Sequence, residues 1–185
     1  MRLPDLKESE LNEEQRKVYQ AIAGGPRGGV RGPFGILMRT PALADQIQQL
    51  GEYCRFKSSL SPRISEFAIC IVARQWTSQI EWNGHSKLAI KGGLNEAVLA
   101  DLRLGKRPAN MKPDEAACYQ FCTEMHTTYE VSDATYAEAV RQFGEAGVLD
   151  LCGVSGYYVL VAMVLKAAQK PLPEGTPDPL PVLKK

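Results

Sequence analysis

The chain lacks an excess of charge of either sign and has little histidine. Its 185 residues carry 22 Lys and Arg against 21 Asp and Glu, a formal net charge of +1, and only two His. Proteins that bind nucleic acid through the phosphate backbone usually have a basic surface, and this balance does not provide one. We therefore expect a partner other than nucleic acid.

Long hydrophobic runs are also missing. The longest uninterrupted apolar run covers nine residues, 157–165. A bilayer-spanning helix needs about twice that length. The N-terminus, MRLPDLKESELNEE, has acidic residues where an export signal would have a basic and then an apolar stretch. We expect a cytoplasmic protein that has no membrane partner.

The five cysteines include no C-x-x-C pair, and their number is odd. Free thiols in a reducing compartment are the simplest interpretation. Cys118, Cys122 and His126 recur at steps of four, which raises the alternative of a zinc site. Each step climbs about 6 Å along a helix, so the three groups would not converge on one ion. We expect buried core cysteines and no metal site.

Helical periodicity runs through the chain, and no alternating stretch is bounded by hairpin turns, so the sequence predicts an all-α fold. A single domain over residues 1–170 and a proline-rich C-terminal arm over 171–185 are expected. The segment 24–35 holds six glycines and predicts a loop. A phosphate cradle is disfavoured there because no Gly-Lys-Ser/Thr follows. Eight helices are predicted at about 12–23, 41–56, 62–76, 79–91, 95–104, 114–129, 132–145 and 148–169.

Three residues of the predicted helices 62–76 and 79–91 could handle protons. Glu66 precedes seven apolar residues, and a carboxylate buried there is costly unless it is paired. Glu81 and His85 lie one turn apart on one side of the next helix. If the two helices are antiparallel, Glu66 could meet His85 and fix its tautomer, an arrangement suited to proton transfer.

Each of these residues also has a structural interpretation. Ser78 and Glu81 match the S-x-x-E capping box, which would only close the helix N-terminus. His85 could be a core histidine, and Trp82 is more often a packing residue than a substrate platform. Arg74 could neutralise Glu66 in a structural ion pair.

Taken together, these motifs resemble the carboxymuconolactone decarboxylase family of the alkylhydroperoxidase D-like superfamily. The resemblance covers about residues 40–125, and residues 126–160 look like the longer members. It implies an all-helical fold that assembles as a trimer or hexamer. The residues that carry it are RISEFAICIVAR at 63–74, EWNGHSKLA at 81–89, Gly93-Leu94, VSDATY at 131–136 and GYY at 156–158.

The superfamily divides by chemistry, and this sequence resembles the decarboxylase branch. Peroxidase members carry C-x-x-C at the start of the helix that corresponds to residues 79–91 here. Ser78 and Glu81 stand at those two positions here, while Glu66 and His85 match the family's relay acid and histidine. The resemblance implies loss of the thiol cycle and a lyase of aromatic catabolism that decarboxylates a butenolide acid.

The resemblance implies that His85 donates a proton, Glu66 orients it, and Glu81 positions the substrate or relays water. No metal or organic cofactor is expected, because an unsaturated lactone can itself accept the electron pair. The candidate substrate-binding residues are Arg74, Arg55, Ser78 and Trp82, with Arg39 as a further arginine near this region. The alternatives are an alkylhydroperoxidase-type peroxidase and a non-catalytic helical ligand-binding assembly.

Overall fold

The computed structural model describes residues 1–183, and this part of the chain is all-helical, with eight α helices and no strand. The predicted all-α class is therefore confirmed. The helices are α1 Glu13–Gly24, α2 Phe34–Leu37, α3 Pro41–Phe56, α4 Pro62–Gln75, α5 Gln79–Lys91, α6 Glu96–Arg103, α7 Pro113–Thr127 and α8 Asp133–Ala168. A short 3-10 turn, Glu8–Glu10, precedes α1.

One helix differs from the sequence prediction, and one predicted helix boundary is present as a kink. The one-turn helix α2 begins at Phe34, inside the segment 24–35 that the sequence predicts as a loop, and ends at Leu37. The two helices predicted at 132–145 and 148–169 are confirmed: they join end to end in α8, with a kink between them at Gly144. Gly144 bends α8 with φ 67° and ψ 172°, a backbone conformation that is open to glycine because it has no Cβ.

Helix α4 lies at the centre of the fold and packs chiefly against α5, α7 and α8. Ser61 caps it by accepting a hydrogen bond from the Ile64 amide, and Pro62 takes the first helical turn, where its missing N–H is not needed. Every residue from Ile64 to Arg74 is buried. The predicted central helix is confirmed.

Helices α4 and α5 run antiparallel. The chain reverses in the three residues 76–78, where Thr77 has a positive φ of 46°. At the other end of the pair, Gly92 lies against the Arg63 backbone. This register brings the middle of α4 beside the middle of α5 and so positions the candidate site.

Helix α8 is long and apolar enough to cross a membrane when it is judged by length and composition alone. Of the apolar window that meets this criterion, 56% is buried inside the fold. Core helices of soluble proteins meet the same criterion. The nine-residue apolar run at 157–165 is shorter than α8, because glycine and serine residues of the same helix interrupt the apolar sequence before residue 157.

The C-terminal arm contacts its own chain over the described residues 171–183. Leu180 is buried, and Gln79 pairs with both its N–H and its C=O, at 2.9 and 2.8 Å. The Arg74 guanidinium donates to the Pro181 carbonyl at 2.9 Å, and Arg103 donates to the Pro179 carbonyl. The arm therefore fastens to the start of α5 and to the end of α6.

Candidate functional site

The antiparallel α4 and α5 place Glu66 beside His85. The distance between Glu66 Oε2 and His85 Nδ1 is 2.5 Å. Because a carboxylate only accepts, Nδ1 is the donor, and the other ring nitrogen is left free for chemistry. Only 8% of Glu66 is exposed, so this contact is shielded from water.

The second oxygen of Glu66 faces Arg55 from α3, with 3.7 Å between Glu66 Oε1 and Arg55 Nη2. Arg55 therefore neutralises Glu66, and Arg74 does not. The Arg55 guanidinium also lies over the Phe56 ring, 4.8 Å from its centroid. The buried carboxylate is held between one cation and one imidazole, as a buried acid requires.

Glu81 is buried one turn before His85 and has no hydrogen-bond partner for either carboxylate oxygen among residues 1–183. Ser78 is the N-cap of α5, but its side chain accepts no cap hydrogen bond. The capping-box interpretation of Ser78 and Glu81 is therefore wrong. Burial raises the pKa of Glu81 to about 7, and the nearby Ser78 hydroxyl and the positive charge of Lys166 oppose this rise only in part.

A cavity of about 410 Å³ opens beside His85 and Glu81, a size suited to a small organic ligand. Glu66 is not on its wall. It lies behind His85 and lines a neighbouring cleft of about 520 Å³, which shares Arg55 and Leu88 with the cavity. The cavity is lined by Arg27, Gly29, Arg31, Gly32, Pro33, Phe34, Arg55, Ile80, Glu81, Gly84, His85, Leu88, Tyr157, Tyr158, Val161 and Leu165.

Two tyrosines of α8 complete the site. Tyr158 meets the His85 ring edge to face, with 4.8 Å between centroids and 80° between planes, and Tyr157 packs on Tyr158 in the same way at 5.1 Å. Burial raises the pKa of both hydroxyls. Both therefore remain protonated near neutral pH and can donate hydrogen bonds.

The structure places only one of the four predicted substrate-binding residues on the cavity wall. Arg55 lines the cavity, whereas Arg74, Ser78 and Trp82 do not. Arg74 is held by the Arg103 and Pro181 carbonyls and by the Thr77 hydroxyl. Its expected role on the substrate is therefore replaced by one in anchoring the arm. Arg39 donates to the Ile36 carbonyl and is also off the cavity wall.

Sequence reasoning missed the contribution of the glycine-rich loop and of Tyr157 and Tyr158. Those tyrosines belong to a continuous apolar run, and nothing in their spacing distinguishes a cavity wall from ordinary core. Their place beside Gly156 in the motif GYY at 156–158 was the available signal. Arg27 and Arg31 lie in a segment whose composition predicts only a loop.

The thiols lie apart from the site. Four of the five cysteines are buried, Cys152 is exposed, and none lines the cavity. Burial and the nearby Glu66 charge raise the pKa of Cys70 well above its usual value, which disfavours the reactive thiolate. In the part of the chain that the structure describes, no three His, Cys, Asp or Glu side chains cluster as metal ligands would.

Comparison with known proteins adds no relative to this description. No family model matches the chain, and no curated protein matches it at a significant level.

Proposed function

We propose that the protein is a carboxymuconolactone decarboxylase-like lyase that acts on a small carboxylated lactone or a similar acid without a cofactor. The observation that carries this proposal is the 2.5 Å contact between the Glu66 carboxylate and His85 Nδ1, with His85 on the wall of a cavity. A core histidine satisfied by one hydrogen bond needs no such cavity beside it.

In the proposed reaction the substrate carboxylate leaves as CO2, and its bonding electron pair moves into the conjugated lactone carbonyl to give an enolate. Protonation at carbon then restores the lactone. His85 first accepts a proton from Glu81 or water at the ring nitrogen that Glu66 does not hold, and then transfers that proton to the carbon, which regenerates the neutral ring. Glu66 acts as a positioning residue because it touches His85 and lies off the cavity wall.

Glu81 has a second role in this proposal. With a pKa of about 7, its carboxyl group exchanges a proton near neutral pH, the condition in which a general acid or base works best. It lies on the same wall as His85. We assign it the return of the proton to His85 or the positioning of the substrate.

The proposal is tested with butenolide acids as substrates and released CO2 as the signal. His85→Gln should lower turnover by a factor on the order of 10² to 10⁴, and Glu66→Gln should do the same. The double variant should be little worse than either single variant because the pair acts as a unit. Glu138→Gln, which changes a carboxylate on α8 outside the cavity, is the control.

A readout independent of activity uses the 15N shifts of the two histidine rings. Glu66→Gln should change the tautomer signal of His85 and leave His126, on α7, unchanged. Equal tautomer signals in both proteins would contradict the pairing. Absence of CO2 release from every butenolide acid tried would contradict the decarboxylase assignment.

The peroxidase alternative is disfavoured by the position of the thiols. None of the cysteines lies on the cavity wall, and Ser78 and Glu81 cannot form a disulfide. Thiol-dependent peroxide consumption that disappears when a single cysteine is replaced would favour the peroxidase over the lyase. Cys70, one turn from Glu66, is the first residue to replace.

We also propose that the chain forms a homo-oligomer, a trimer or hexamer by the family resemblance. Leu149, Cys152, Gly156 and Met163 recur along one side of α8, and Leu149 and Met163 are 71% and 54% exposed. Tyr53 of α3 extends this face, since its hydroxyl donates to Asp150 at 2.8 Å. An uncharged apolar face of this kind can pack against its own copy.

A further inference from the structure

The glycine-rich loop forms one wall of the cavity. Arg27, Gly29, Arg31 and Gly32 all line it. Gly28 and Gly32 have φ values of 66° and 62°, which let the backbone fold back over the site. The loop thus brings two guanidinium groups to a cavity that already has Arg55 on its wall.

The three arginines differ in how their charge is balanced. Arg55 faces Glu66 at 3.7 Å, so its charge is already compensated. Arg31 is an exposed residue, and water solvates its charge. An anion gains little from a cation that is already paired or fully hydrated.

Arg27 is neither paired nor fully hydrated. Its Nη2 has two neutral partners, the Gln48 carbonyl at 3.3 Å and the Tyr157 hydroxyl at 3.5 Å. Its guanidinium lies over the Phe34 ring, 4.9 Å from the centroid. Its Nε is buried without a hydrogen-bond partner, and no carboxylate pairs with it in the described residues 1–183. A half-buried cation of this kind favours an anionic ligand.

We propose that Arg27 is the specificity-determining residue that binds the carboxylate of the ligand, an inference that rests on the proposed function. The opposite part of the wall, with Leu88, Val161 and Leu165, is apolar. The cavity therefore takes a small carboxylate with an apolar body. The body packs on α5 and α8, and the carboxylate accepts hydrogen bonds from the loop.

Gly51 of α3 is a second observation that supports the position of the Arg27 guanidinium. A Cβ at residue 51 would overlap both the Tyr157 hydroxyl and Arg27 Nη2. The absence of a side chain at this position creates the space that the Arg27 head occupies. Any larger residue would push the guanidinium away from its present site.

The test compares benzoate with benzamide, which has the same apolar ring but no charge. Binding is followed through the His85 ring signals, because His85 shares the cavity and His126 serves as an internal reference. Wild-type protein should bind benzoate more tightly than benzamide. Arg27→Gln should weaken benzoate binding on the order of 10-fold or more while leaving benzamide binding within about twofold, as expected for a charge-assisted pair.

Arg39→Gln is the matched control, because it removes one positive charge from the same segment but not from the cavity wall. It should change benzoate binding by less than about threefold, since it removes only a distant charge. Gly51→Ala, which keeps every charge, should weaken benzoate binding as Arg27→Gln does. If both variants weaken benzoate binding to a similar extent, then the position of the Arg27 guanidinium, and not only its charge, determines the affinity for benzoate.

Benzoate binding that is unchanged in Arg27→Gln would overturn the inference, as would wild-type protein that does not prefer benzoate over benzamide. The Glu66-dependent tautomer of His85 reports separately on the proposed function. A lost tautomer response with intact Arg27 dependence contradicts the proton-transfer site alone. The reverse result contradicts only the role of Arg27.

Discussion

Glu81 lies on the cavity wall, and burial is the main cause of its raised pKa. Its pKa of about 7 lies above the 4.5 of a free glutamate, so the folded state binds more protons than the unfolded chain between those two values. The contribution of the protonated Glu81 side chain to the free energy of unfolding is then fully present below about pH 4.5. It falls as pH rises to about 7 and stays constant above that value.

Glu81→Gln should remove this loss of stability at higher pH, because glutamine keeps the shape of the glutamate side chain and carries no charge. At pH 8 the variant should be more stable than the wild type by on the order of 2 to 3 kcal/mol in its free energy of unfolding. Near pH 4.5 the two proteins should be nearly equal. Urea unfolding at pH 4.5, 6 and 8 measures this difference.

Burial also lowers the pKa of His126, which makes stability rise with pH below about 6.5 in both proteins. Subtracting one protein from the other cancels this contribution. A stability difference between Glu81→Gln and wild type that does not vary with pH would show that Glu81 is ionised without cost. In that case it could not serve as a proton carrier near neutral pH.

Much of the acid–histidine pair is predictable from the sequence, because it follows from helix register. An isolated acid before seven apolar residues marks a buried carboxylate, and two antiparallel helices with a short turn fix which residue meets it. The role of Arg27 is not predictable in this way. Its position depends on a loop whose path is set by contacts with α3 and α8, which are distant in sequence.

Gly144 is the point where α8 changes direction, and the sequence alone suggests two separate helices there. The boundary predicted between residues 145 and 148 lies next to this kink, so the two-helix prediction is confirmed. The backbone remains in helix on both sides because only one residue leaves helical geometry. Local propensity identifies such a position because glycine takes a positive φ without the cost that a Cβ imposes.

Gly144→Ala should destabilise the protein by about 1 to 3 kcal/mol, because alanine is strained at a φ of 67° even though the space around it is open. Gly84→Ala on α5 is the control. Gly84 lies inside a helix and would also meet nothing within 4 Å. Its replacement should stabilise by about 0.5 to 1 kcal/mol. Unfolding free energies of equal sign for the two variants would contradict this account of the bend.

At the scale of the whole molecule, the uncharged face of α8 sets the expected assembly. Leu149→Glu combined with Met163→Glu should convert the oligomer into a monomer near 20.4 kDa, because the charges would be buried unpaired between two copies. Tyr129→Glu changes an 81% exposed residue away from this face and should keep the oligomer. Light scattering at micromolar concentration measures all three proteins.

A wild-type chain that scatters as a monomer at that concentration would exclude the assembly, because an interface of about 2,000 Å² or more should not dissociate there. A double variant that remains oligomeric would show that the copies associate through another surface. The cavity and its arginines do not depend on either result, since the residues that form them come from one chain.

The wall of the cavity is held by contacts with residues that lie far from it in the sequence. Lys170 donates to the Gly32 carbonyl at 2.8 Å and pairs with Asp5, while the Arg2 amide donates to the Ala168 carbonyl at 2.7 Å. Gln79, two residues before Glu81, is fastened by Leu180. During synthesis Lys170 and Leu180 are made after α4 and α5. The nascent chain can form α4 and α5 early, but the wall of the cavity is fastened only after Lys170 and Leu180 have left the ribosome.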